Sequence, residues 1–93
     1  MKSLIDSLAT YIEVLAHSAQ MTNRAEDRAS YARHLAAAAT IFADLHSGRL
    51  SEASEIVRSE RHGFGWGCLS GPEGAAADAA FHKFATLIEA HAT

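Results

Sequence analysis

Residues 2–21 read KSLIDSLATYIEVLAHSAQM, and the spacing of the apolar residues in this stretch decides the fold class. They recur at intervals of three and four, which places their side chains on one face of an α-helix. We expect Tyr11 at the edge of that face, where its ring packs and its hydroxyl stays in water. The predicted inward set is Leu4, Ile5, Leu8, Ile12, Leu15, Ala16 and Ala19.

A second and longest helix is predicted over residues 24–47. The residues Thr22 and Asn23 end the first helix and offer a cap for this one, and Gly48 supplies its stop. Its apolar residues spread over more than half of the circumference, so we expect this helix to contact two neighbours. They are Tyr31, Leu35, Ala38, Ala39, Ile41, Phe42 and Leu45.

Two further helices complete the pattern. Ser51 is predicted to cap a short third helix over residues 52–62, and a fourth is predicted over residues 71–91. The fourth begins at Ser70-Gly71-Pro72-Glu73, which has the spacing of a capping box. Since no segment alternates with period two, the sequence predicts an all-α fold. We expect one compact four-helix domain over 1–93, with three long helices and a short third one.

Composition narrows the class of protein. The net charge is −3 and the one cysteine is Cys68, so neither a basic nucleic-acid surface nor an intrachain disulfide framework is expected. No apolar run approaches the ~18 residues that a membrane helix needs. We expect a cytoplasmic protein of bacterial composition that binds neither nucleic acid nor membranes and uses no cofactor.

Several polar residues project toward the core on a helical wheel. Arg28 and His46 share the angle of Leu35 on the second helix, and Glu60 projects between Ile56 and Val57 on the third. Because a lone buried charge costs several kcal/mol, we predict that Glu60 pairs with Arg28, or else with Arg61 or the Trp66 indole. The alternative is that these side chains lie near helix ends and reach solvent.

The loop Gly63-Phe64-Gly65-Trp66-Gly67 is the least generic part of the chain. Glycines beside each aromatic ring permit tight reversals. Such reversals either fold the rings onto the core or display Trp66, a residue type enriched in interface hot spots. The loop lacks the pattern of a phosphate-binding loop.

These features favour a non-catalytic helical interaction module, an adaptor, regulator or immunity-type inhibitor that uses the Trp66 loop. The outer face of the first helix, with Val14 and Met21 among uncharged polar residues, suits a second helix from a partner protein or from another copy in a homodimer. The predicted binding residues are Phe64, Trp66, Arg61, His62, Glu60 and Arg28.

Two alternatives stay open. One is a metal- or small-ligand-binding sensor that uses His46, His62 and Cys68, although no two of them have the close spacing of a zinc-ligand pair. The other is an enzyme in which Glu60 works with His46 or Cys68, and no acid–base motif supports it.

Overall fold

Four α-helices build the part of the chain that the computed structural model describes, which is residues 2–63 and 71–92. The helices are α1 (Lys2–Met21), α2 (Ala25–His46), α3 (Leu50–Gly63) and α4 (Gly71–Ala92). α3 has 14 residues, whereas α1 has 20 and α2 and α4 have 22 each. The predicted all-α class, with three long helices and a short third one, is confirmed.

Each helix packs against two others, so the chain runs around a four-sided bundle. α1 packs against α2 and α4, and α3 packs against the same two helices. α1 and α4 run antiparallel, because Ser18 near the end of α1 bonds to Glu73 in the first turn of α4. The radius of gyration is 12.5 Å, close to the ~12 Å of a compact chain of this length.

The core is a narrow seam in which buried residues alternate at intervals of three and four. This spacing is typical of helices that cross at small angles, with the side chains of one fitting between those of the next. None of the helices in the described ranges has the length and hydrophobicity needed to cross a membrane. The seam consists of Leu4, Leu8, Tyr11, Leu15 and Ser18 in α1; Asp27, Tyr31, His34, Ala38, Ile41 and Leu45 in α2; Ala53, Val57 and Glu60 in α3; and Ala77, Phe81, Phe84 and Ile88 in α4.

The turn between α2 and α3 follows from Gly48, as predicted. Gly48 has φ +79°, a left-handed conformation that costs other residues steric strain. Its N–H donates to the Leu45 carbonyl at 3.1 Å, and the Arg49 N–H donates to the Asp44 carbonyl at 2.7 Å. This pair of bonds is a Schellman motif. The Arg49 guanidinium also forms an ion pair with the Asp44 carboxylate at 3.0 Å. Both the backbone and the side chain of Arg49 therefore contact Asp44 and close the turn.

The predicted helix starts need correction. α3 begins at Leu50, so Ser51 lies inside its first turn and does not cap it. The N-cap of α2 is Arg24, and no side chain caps it; the Thr22 hydroxyl instead accepts a bond from the Arg24 N–H at 3.3 Å. Pro72 does lie in the first turn of α4, while the proposed cap Ser70 lies outside the described residues.

The predicted inward faces were wrong in two places. Tyr11 is fully buried at 1% exposure, because its ring fills the seam against Phe81 at a centroid distance of 5.6 Å. On α2 the centre of the buried face is rotated by about 50° from the predicted one, at ~100° per residue. Leu35 is therefore half-buried, and Phe42 is exposed at 40%. The predicted face was centred on the large apolar residues, including Leu35 and Phe42, and was therefore placed too far toward them.

Candidate functional site

A buried histidine–carboxylate pair joins α2 to α3 at the centre of the bundle. His34 Nδ1 lies 3.2 Å from Glu60 Oε2, and each side chain is only 4% exposed. At that distance the ring N–H donates to the carboxylate. Glu60 thus faces inward, as predicted, and the partner found for it among the described residues is His34. Neither Arg28 nor Arg61 takes that place, and the Trp66 indole lies outside the described residues.

Tyr11 and Phe81 bring α1 and α4 to the same centre. Burial first, and the nearby Glu60 carboxylate second, raise the pKa of the Tyr11 hydroxyl above its usual value. An acid–base pair that acts on a substrate must be reachable by it, whereas His34 and Glu60 are almost fully enclosed. We therefore interpret this polar centre, defined as Tyr11, His34 and Glu60, as structural.

The predicted cationic partners of Glu60 lie elsewhere. Arg28 is exposed, and its Nη1 lies 3.5 Å from the Thr22 carbonyl. It points outward because the buried face of α2 is rotated away from it. Arg61 forms an ion pair with Glu89 near the end of α4. The structure therefore does not gather Arg28, Glu60 and Arg61 into one binding site.

Of the residues predicted for the sensor and for the Trp66 loop, the structure describes the side chain of His46 alone. His46 is exposed and its ring stacks on Phe42, with centroids 6.3 Å apart. The side chain of His62 lies outside what the structure describes, as do Phe64, Trp66 and Cys68. In the described part of the chain, no group of three or more His, Cys, Asp or Glu side chains could hold a metal ion. Binding through Trp66 and metal binding through His62 and Cys68 stay predictions.

The surface offers a second candidate region where α1 meets the start of α4. A concavity of roughly 400 Å³ opens there. It is lined by the apolar residues Val14, Pro72 and Ala76 and by the acidic residues Glu13 and Glu73, together with His17 and Ser18. The Ser18 hydroxyl donates to the Glu73 carbonyl at 3.2 Å, which fixes the first turn of α4 against α1.

A second concavity, of roughly 320 Å³, lies between the other ends of the same two helices. Both lie on one side of the α1–α4 pair, because their α1 residues follow one 3–4 repeat. We call the two concavities together the α1–α4 groove. It is lined by Ser3, Asp6, Ser7, Thr10, Glu13, Val14, His17 and Ser18 of α1 and by Pro72, Glu73, Ala76, Lys83 and Leu87 of α4.

Comparisons of the chain with protein-family models, with curated proteins and with solved structures each gave no match.

The sequence indicated Val14 and Met21 on the outer face of α1, but not the contribution of α4 to the groove or the burial of His34. A signal for His34 was present: it lies three residues after Tyr31 and four before Ala38, which is the spacing of the seam.

Proposed function

We propose that this chain is a non-catalytic protein-interaction module that receives a helix of a partner protein in the α1–α4 groove. The observation that carries the proposal is the alignment of two concavities, of roughly 400 and 320 Å³, along one side of the same helix pair. A groove between two helices is a common docking place for an amphipathic helix.

The dimensions of the groove suit a helix. Its α1 residues run from Ser3 to Ser18, which is about 22 Å at a rise of ~1.5 Å per residue. That length equals roughly four turns of a partner helix. The 3–4 repeat along this wall has the spacing of a coiled-coil seam.

The chemistry of the walls supports the same occupant. Ala76 lines the groove and is exposed, and such a small side chain lets a helix backbone approach closely. Met21 is 54% exposed and extends the α1 stripe by one further turn. An exposed apolar side chain in line with an apolar groove is typical of a binding surface.

The Trp66 loop enters this proposal as a sequence prediction. Residues 64–70 directly precede α4, whose first-turn residues Pro72 and Glu73 line the groove. A partner in the groove would therefore contact residues that lie close in sequence to the predicted Trp66 anchor. The activity would be that of an adaptor, regulator or inhibitor.

The experiment places a photo-crosslinking amino acid at Ala76 in the groove or at the exposed Ala43 on the outer face of α2. We expect one product in cells that depends on the Ala76 position. The crosslinked protein is then identified, purified and titrated against the full chain.

Direct binding decides the outcome. Ala76→Phe fills the groove and should weaken the affinity at least tenfold, whereas the matched Ala43→Phe should leave it within twofold. Equal affinities for the two variants would overturn the proposal, and so would crosslinking that does not distinguish the two positions.

A further inference from the structure

The two ends of the α1–α4 groove differ in charge. At the end formed by the first turn of α4, Glu13 and Glu73 line the groove together with His17, and no Lys or Arg is among the described residues there. At the other end, Asp6 and Lys83 balance each other. The groove therefore carries an excess of negative charge at one end.

The first cation after α1 in the sequence is engaged by other carboxylates. Arg24, which follows α1, is bound to Glu26 at 2.8 Å and lies 3.9 Å from Asp27. The backbone at Glu73 is held against α1, because the Ser18 hydroxyl donates to its carbonyl at 3.2 Å. Glu73 also acts on the interior: burial raises the pKa of the Tyr31 hydroxyl, a hydrogen bond with Ser18 opposes that rise, and the carboxylates of Asp27 and Glu73 add smaller upward contributions.

A second copy of this chain fits the groove poorly. If two copies paired their α1 faces antiparallel about a point between Ala9 and Thr10, Asp6 of each copy would face Glu13 of the other. Like charges placed opposite each other in this way disfavour pairing. The occupant that the charges favour is a different protein with a cation at the matching position.

We propose that the groove selects a partner helix that carries a Lys or Arg side chain between the Glu13 and Glu73 carboxylates. This inference rests on the proposed function and names the chemistry of the partner. The aliphatic stem of the cation lies on Val14 and Pro72, as long cationic side chains do on apolar surfaces. Its charged end meets two carboxylates, which fix the orientation of the partner helix and speed association.

The test selects ligands from a displayed library of random 18-residue peptides, with the full chain as the target. Selected peptides are synthesised, and their affinities are measured at low and high salt. The variants are Glu13→Gln/Glu73→Gln, the groove-filling Ala76→Phe, and a matched control, Glu52→Gln/Glu55→Gln, which removes two exposed carboxylates from α3.

We expect the selected peptides to share a Lys or Arg at a fixed place in an apolar helical pattern. Glu13→Gln/Glu73→Gln should weaken their binding about tenfold, which corresponds to ~1.4 kcal/mol. The loss should shrink at high salt, because exposed charges are screened. The control should bind within twofold of the parent, and Ala76→Phe should abolish binding.

Other results distinguish the proposed docking site from the proposed preference for a cation. Peptides that Ala76→Phe blocks but that show no preference for a cation would overturn the inference and leave the groove as a docking site. Peptides that bind Ala76→Phe normally, or a library that gives no binder, would overturn both. Sedimentation that shows a dimer of the parent and a monomer of Ala76→Phe would assign the groove to a second copy and also overturn the inference.

Discussion

The α2–α3 pair and the α1–α4 pair use different chemistry to hold two helices together. Three residues, 47–49, connect α2 to α3, and that pair is closed by the Gly48 turn and the buried contact between His34 and Glu60. α1 and α4 are far apart in sequence, pack through Tyr11 and Phe81, and leave an open groove. The comparison teaches that polar, directional contacts close the α2–α3 side, while packing of aromatic rings on the other side leaves concave surface open between α1 and α4.

The largest expected effect comes from breaking the buried pair. His34→Leu leaves the Glu60 carboxylate in the core without the ring N–H at 3.2 Å. Removing one partner of a buried charged contact costs about 3–5 kcal/mol of unfolding free energy. Chemical denaturation of the variant and the parent measures the loss.

The matched control is the double variant His34→Leu/Glu60→Leu, which replaces the pair with apolar side chains. We expect it to recover a large part of the stability, because apolar replacement of a buried pair is often neutral. A double variant less stable than His34→Leu would show that the interpretation of the pair is wrong.

The next effect tests the turn that closes the α2–α3 side. Gly48→Ala should cost about 1–2 kcal/mol, the penalty for a side chain in left-handed backbone. The added Cβ would meet no atom within 4 Å, so the cost comes from the backbone alone. Gly48→Asn should cost less, because asparagine adopts this conformation more readily. Equal thermal unfolding of all three proteins would contradict this account of the turn.

How much of the α2–α3 side could be predicted from the sequence depends on the kind of residue. Gly48 was predictable because the need for positive φ is a local property. Glu60 was correctly expected to face inward, but a single helical wheel does not show which side chain of a neighbouring helix comes within reach. The predicted faces did not include His34 and placed Tyr11 at the edge of its helix face, because they rested on apolar residues, whereas the seam is defined by 3–4 spacing and accepts polar residues.

The groove was predictable only in part. Val14 and Met21 marked an outer face of α1 in the sequence, but the second wall comes from α4, more than 50 residues later in the chain. That contact depends on packing between helices distant in sequence. The acidic end likewise exists only because the start of α4 brings Glu73 to the concavity that Glu13 lines.

A third prediction compares two buried tyrosines by their pH dependence. The pKa of Tyr11 is raised in the folded state, so the unfolded chain ionises first, near pH ~10. The stabilising contribution is present below that pH and is lost as pH rises above it. The loss approaches about 1.4 kcal/mol for each pH unit above pH ~10, until the folded-state pKa is reached.

Tyr11→Phe should therefore flatten the decline of stability above pH ~10, as measured by urea unfolding at several alkaline pH values. Tyr31→Phe is the comparison, because its hydrogen bond with Ser18 opposes the rise in pKa. We expect the Tyr31 variant to flatten the decline less. An equal or larger effect of Tyr31→Phe would show that Tyr11 is not the main source of the loss of unfolding free energy at high pH.

The smallest effect on stability is expected on the open side, and it sharpens the comparison most. Met21 and Phe42 are the two large apolar side chains found exposed in the described residues, at 54% and 40%. Met21→Gln and Phe42→Gln should each change the unfolding free energy by less than ~0.5 kcal/mol, as exposed substitutions usually do. Only Met21 extends the α1–α4 groove, so only Met21→Gln should weaken binding of the peptides selected for the groove. If both variants bind equally well, Met21 lies outside the docking surface and the groove ends near His17; if Met21→Gln unfolds more easily than Phe42→Gln, the end of α1 supports the fold more than its exposure indicates.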